Sequence, residues 1–157
     1  MRALLIEPDD ATRETLTARL GQLGYEVEAY PDPHSCVRVL LDDATPRDLL
    51  VTDLCLPWVT GAAAMGIVRA RLGQISLPVI GVAPVDTDDD QAQRIKDAGG
   101  EVIRRSGTLY DLVAAVLRVA PKGRANPQTT RTPDATRAGL TQDGAWLRIL
   151  TPTLTST

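Results

Sequence analysis

Two carboxylates are placed where chemistry can happen. Asp53 ends the apolar run Leu49-Leu50-Val51-Thr52 and opens the segment Leu54-Cys55-Leu56-Pro57-Trp58-Val59-Thr60-Gly61. Glu7 ends a second apolar run, Ala3-Leu4-Leu5-Ile6, and leads into Pro8-Asp9-Asp10. An acid at the C-terminal tip of a buried strand, followed by a loop with Pro and Gly, sits where an open parallel sheet presents its ligand crevice. Two such acids can aim at one cation or one phosphoryl group. Other chemistries lack their parts. The single His, His34, has no nucleophile partner, and there is no Gly-rich phosphate loop and no zinc-ligand spacing. An ordinary enzyme is not expected.

The elements that must hold these acids follow from apolar periodicity. Residues 3–6 and 49–53 read as strands buried on both faces. Residues 25–30 alternate enough for a strand toward the sheet edge, and residues 77–82 and 101–104 supply two more. Between them lie amphipathic stretches. A helix opening at Asp10 carries Leu16, Leu20 and Leu23 on one face and stops at Gly24. A helix over 32–41 uses Val37, Leu40 and Leu41, and one over 62–72 uses Ala63, Ile67 and Ala70. Thr87 and Asp90 suggest a capping box for a fourth, ending at Gly99-Gly100. Leu109, Leu112, Val113, Val116, Leu117 and Ala120 form the clearest helical stripe. Five alternating strands and helices imply right-handed crossovers and a flavodoxin-like, doubly wound (βα)5 parallel sheet.

Composition narrows the setting. The chain has 157 residues, 43% of them hydrophobic, enough for one domain of ordinary size. Its net charge is −3, unevenly spread: −6 over residues 1–121 and +3 over residues 122–157. That balance argues against nucleic-acid or anionic-membrane binding by the whole chain. No run approaches the ~20 apolar residues of a membrane helix, and the apolar run at the start is too short for a signal peptide. Cys36 and Cys55 read as small buried hydrophobes in a reducing cytoplasm. His34 reads as a surface residue at a helix start. Trp58 reads as packing over its loop, with an exposed partner anchor as the alternative. The acidic stretch from Asp86 to Asp90 reads as a solvated helix N-terminus rather than a metal cluster.

The strand-end acids and the D-x-x-L-P-x-x-x-G pattern from Asp53 to Gly61 resemble the receiver domain of two-component response regulators, the CheY-like family, over residues 1–121. The resemblance implies that Asp53 is the phosphoacceptor. It also implies a Mg²⁺ site made by Glu7, Asp53 and the backbone carbonyl of Cys55. Transfer of a phosphoryl group to a carboxylate sets negative charge against negative charge, so positioning and cationic compensation are nearly the whole of the catalysis. Several family positions are altered here. Pro8 stands where the second acid of the metal pair would be, with no side-chain oxygen, and Asp9 and Asp10 fall outside the pair. Ala83 stands at the Thr/Ser hydroxyl position. Arg105 takes the Lys position if one residue is dropped near Gly100 and Glu101, whereas an ungapped match puts Ser106 there. With Arg105 at the Lys position, Ser106 replaces the Pro that follows, and Val102 replaces the switch aromatic. Mg²⁺ needs near-ideal octahedral oxygen geometry, so binding is expected to be weak. The resemblance therefore implies a degenerate receiver, poorly phosphorylated at Asp53 and acting mainly by protein docking. Implied partners are a histidine kinase or phosphotransferase, other response regulators, and a second copy of the chain.

Residues 122–138 have a linker composition, rich in Thr, Arg, Pro, Gln and Ala. Residues 139–157 read as a short β-hairpin around Asp143-Gly144. The stretch Asp143-Gly144-Ala145-Trp146-Leu147-Arg148-Ile149-Leu150-Thr151-Pro152-Thr153 resembles the start of an OmpR-type winged-helix effector. The alternative function is thus an OmpR-type transcriptional regulator, truncated or heterodimerising. The sequence stops before any recognition helix, so direct DNA binding is not expected.

Overall fold

The computed structural model describes residues 1–84, 86 and 89–120. The expected linker over 122–138, the hairpin over 139–157 and Thr87 of the expected capping box lie outside the described residues. Within them, strands and helices alternate: β1 (Arg2–Ile6), α1 (Asp10–Gln22), β2 (Glu26–Tyr30), α2 (Pro33–Asp42), β3 (Leu49–Asp53), α3 (Gly61–Leu72), β4 (Val79–Ala83), α4 (Asp89–Asp97), β5 (Glu101–Arg104) and α5 (Leu109–Val119). The strands are all parallel, in the order β2-β1-β3-β4-β5. This is the doubly wound flavodoxin-like fold that the alternation implies.

Side chains alternate across the sheet, as the two-residue strand period requires. Leu4, Ile6, Leu50 and Val79 face one layer, with Cys36, Leu40, Ala64, Val68 and Ile95 from α2, α3 and α4. Ala3, Leu5, Val51, Ile80 and Val82 face the other, with Leu16, Leu20, Leu112, Ala115 and Val116 from α1 and α5. Burying each Leu or Ile in these layers contributes roughly 1.5–3 kcal/mol. The β3 and β4 strands are buried along their whole length, so their ends are rigid supports for a site. Side-chain caps start four helices: Asp9 for α1, Asp32 for α2, Thr60 for α3 and Thr108 for α5. Each such cap is worth about 1 kcal/mol.

Some sequence expectations shift. The helix over 62–72 turns a different face inward: Gly61, Ala64, Met65 and Val68 are buried, while Ala63, Ile67 and Ala70 are exposed. Its run of Ala and Gly carries little hydrophobic contrast, so the stripe is ambiguous in phase. In α2 the buried positions are Pro33, Cys36 and Leu40, and Leu41 is exposed. β4 begins at Val79 rather than Leu77 because Pro78 has no N–H to give a ladder; its carbonyl accepts from Leu50 N at 2.9 Å. Cys36 is buried as expected, but Cys55 is exposed in the loop after β3. No helix among the described residues is long and apolar enough to cross a membrane.

Candidate functional site

The site lies at the C-terminal edge of the sheet, where β1 and β3 run side by side and the chain leaves them in opposite directions. Ile6 pairs with Thr52, so the residues that follow, Glu7 and Asp53, are neighbours on the rim. Both are fully buried. The loop after β3 is closed by an isolated bridge between Cys55 and Thr60 and by Gly61 N donating to Leu54 O at 3.1 Å. Gly61 is required here: a Cβ on it would stand 2.5 Å from the Asp53 carbonyl oxygen. The glycine of the D-x-x-L-P-x-x-x-G pattern thus lets the start of α3 lie against the end of β3.

A guanidinium joins the two acids. Nη2 of Arg105 donates to Oδ2 of Asp53 and lies 3.4 Å from Oε1 of Glu7. Arg105 is held there by its backbone N–H, which donates to the Ala83 carbonyl at 2.8 Å. Oδ1 of Asp53 accepts from Cys55 N at 2.8 Å, and Oε1 of Glu7 accepts from Asp9 N at 3.0 Å. Oε2 of Glu7 and Nε of Arg105 are buried without a partner among the described residues. Burial pushes Glu7 up to about 7, against the Asp9 N–H that stabilises its anion. The charge of Asp53 adds to the rise and Arg105 opposes it. As carboxylates the two acids have no proton to share; once Glu7 is protonated it can donate to Asp53.

The donor set fits a divalent cation poorly. Glu7 and Asp53 already converge on Arg105. Pro8 brings no side-chain oxygen. Asp9 is turned to α1, where Oδ2 accepts from Thr12 N at 2.8 Å and Thr12 Oγ1 at 2.6 Å. Asp10 pairs with Arg13, whose Nη1 also binds the Glu7 and Pro8 carbonyls at 2.9 and 3.3 Å. Among the described residues no group of three or more His, Cys, Asp or Glu is placed to hold a metal ion.

The other expected residues fall as follows. Arg105, not Ser106, reaches the acids. Ser106 lines a groove of about 280 Å³ with Arg105, Gly107 and α1 residues that include Thr12 and Arg19. Ala83 ends β4 beside Arg104, and Val102 is half-buried against α4. His34 is on the surface. Trp58 does not pack over its loop. It is 93% exposed and has φ 64, the one positive φ outside glycine among the described residues. Sequence reasoning missed Arg47, which is 1% exposed and ion-paired to Glu28 and Asp43. Its signal was slight: an arginine two residues ahead of a fully buried strand, flanked by Asp43 and Asp48.

No family model matches the chain. Among curated proteins it is 32% identical to the two-component response regulator-like protein APRR3 of Arabidopsis thaliana over 87 residues, 55% of this chain and 18% of that protein. It is 26% identical to the transcriptional regulatory protein HprR of Escherichia coli over 116 residues, 74% of this chain and 50% of that protein. The chain therefore spans from under a fifth to half of these relatives' lengths. Among solved structures, the non-phosphorylated HemR receiver domain from Leptospira biflexa superposes with a TM-score of 0.63 at 26% identity, covering 79% of this chain and 97% of that domain. The described part of the chain thus has the fold of CheY-like receiver domains and is similar in sequence to response regulators.

Proposed function

We propose that this receiver domain serves two-component signalling mainly as a protein-docking module, with a phosphorylation site that has lost most of its machinery. One observation carries the reading: both oxygens of Asp53 are engaged, Oδ1 by the Cys55 N–H and Oδ2 by Arg105. For Asp53 to attack a phosphoryl group, Oδ2 must be released from the guanidinium. The incoming oxygens would then meet Ala83, which has no hydroxyl, and a rim on which Pro8 replaces an acid. Little remains to neutralise the charge that develops, and such neutralisation is most of the catalysis. The domain's role is therefore to be recognised by a partner such as a histidine kinase, a phosphotransferase, another response regulator or a second copy. The groove between α1 and the loop after β5 is the surface that the family resemblance assigns to the kinase. The setting proposed is the cytoplasm, where Cys36 and Cys55 stay free thiols.

Incubation with acetyl phosphate and Mg²⁺, with Asp53→Asn as control, tests this. The expected result is labelling far below one phosphoryl group per chain. Stoichiometric labelling that depends on Asp53 overturns the degenerate reading. The similarity to a transcriptional regulator over 116 residues favours one second reading, an OmpR-type regulator acting through a heterodimer. A gel shift with the 157-residue chain, alone and with an intact relative, separates the two.

A further inference from the structure

We infer that Arg105 is the resident cation of this pocket: its guanidinium takes the role of a divalent ion between Glu7 and Asp53, so the domain reaches its resting form without metal. The inference extends the receiver reading but does not depend on phosphoryl transfer.

The geometry is specific. A single nitrogen, Nη2, faces both acids, Asp53 through Oδ2 and Glu7 through Oε1. A cation bridging two carboxylates from neighbouring strands would stand in the same place. Arg105 is delivered by the backbone, since its N–H is fixed to the Ala83 carbonyl at 2.8 Å. It is therefore a tethered ligand, and tethering gives an effective concentration in the millimolar range or higher. A guanidinium is always charged and weakly hydrated, whereas Mg²⁺ gives up its water reluctantly. Both factors favour the side chain over the ion. The neutralisation is partial: one positive charge faces two acids. Oε2 of Glu7, buried and without a hydrogen-bond partner among the described residues, is the ligand position that the guanidinium leaves unused. Arg13, which also reaches this rim, does not stand in for Arg105, because it is committed to the Glu7 and Pro8 carbonyls and to Asp10.

It follows that removing Arg105 should create a divalent-cation site rather than merely damage the pocket. Mn²⁺ is the probe, titrated calorimetrically and by electron paramagnetic resonance of the free ion, on the full 157-residue chain. Native protein is expected to melt at the same temperature in EDTA and in Mn²⁺. Arg105→Ala should melt lower in EDTA, recover in Mn²⁺ but not in NaCl of equal ionic strength, and bind Mn²⁺ about ten to a thousand times more tightly than native, the range for removing one charge about 4 Å away. The double variant Arg105→Ala/Asp53→Asn should lose that gain. Arg105→Gln, which keeps most of the bulk and loses the charge, serves if Arg105→Ala does not fold. Native protein that binds Mn²⁺ as tightly as either Arg105 variant overturns the inference, as does a folded variant with no gain. Metal binding and phosphoryl labelling are read separately, so this inference and the proposed function can fail independently.

Discussion

Arg47 and Arg105 each meet two carboxylates, one at the entry to β3 and the other at the exit from β5, and they meet them differently. The Arg47 side chain is wholly buried and all its nitrogens are used. Nε and Nη2 bind Glu28 in a fork at 3.0 Å each, Nη2 also binds Asp43 at 3.1 Å, and Nη1 donates to the Thr45 carbonyl. Arg2 pairs with the same two acids at 2.9 and 3.3 Å, so two positive charges meet two negative ones. Gln74 fixes the Arg47 backbone through reciprocal hydrogen bonds of 2.9 Å. The Arg105 side chain is one-third exposed, serves both acids from one nitrogen and leaves Nε without a hydrogen bond among the described residues. The acids register the difference. Hydrogen bonds from Thr45, with Arg2 and Arg47 nearby, hold Asp43 well below the usual carboxylate range, whereas burial pushes Glu7 up to about 7. A saturated ionic network fixes structure because it has nothing to exchange. An unsaturated one is where a ligand or proton can enter.

The largest expected effect tests the saturated end. Arg47→Ala leaves Glu28 and Asp43 facing a buried void and should cost about 3–5 kcal/mol in urea unfolding. A loss under about 1 kcal/mol would mean that the network is ornamental and the contrast false. The next effect tests the unsaturated end. Folded Glu7 keeps its proton to higher pH than its unfolded value of 4.5, so the folded state binds more protons in that window. Stability should therefore be fully present below about 4.5 and fall as pH rises through about 7, by at most about 3 kcal/mol. Glu7→Gln should flatten this slope, and an equally steep slope in that variant would assign it to another group. The smallest effect tests strain at the same rim. Trp58→Gly gives the φ 64 position a residue suited to it and forfeits little packing, so stability should rise by about 1 kcal/mol. A loss instead would show that the indole is held by contacts.

The sequence made the rim legible because strand-end acids follow uninterrupted apolar runs. Leu49 to Thr52 has the length and flanking turn signals of a strand buried on both faces, which puts the acid after it at the tip. The fold follows from the same runs and the helices between them. Arg105 was legible as a charge near the site but not as a bridge. Its partners are 98 and 52 residues away, and the choice between it and Ser106 turned on a single gap. Arg47 was not legible, since an arginine between Pro46 and Asp48 looks like an ordinary loop cation. Only the fold shows that Glu28 and Asp43 converge on it. In α3 the alanines blurred the inward face. Trp58 was misjudged because aromatic size suggests burial, whereas its backbone conformation holds it outward.

The unequal cysteines have a practical consequence. Cys36 is sealed in the core and Cys55 stands open two residues from Asp53. Among the described residues a maleimide reagent has one thiol within reach. A fluorophore or spin label attached there would report on the acid pair's surroundings while leaving the interior untouched.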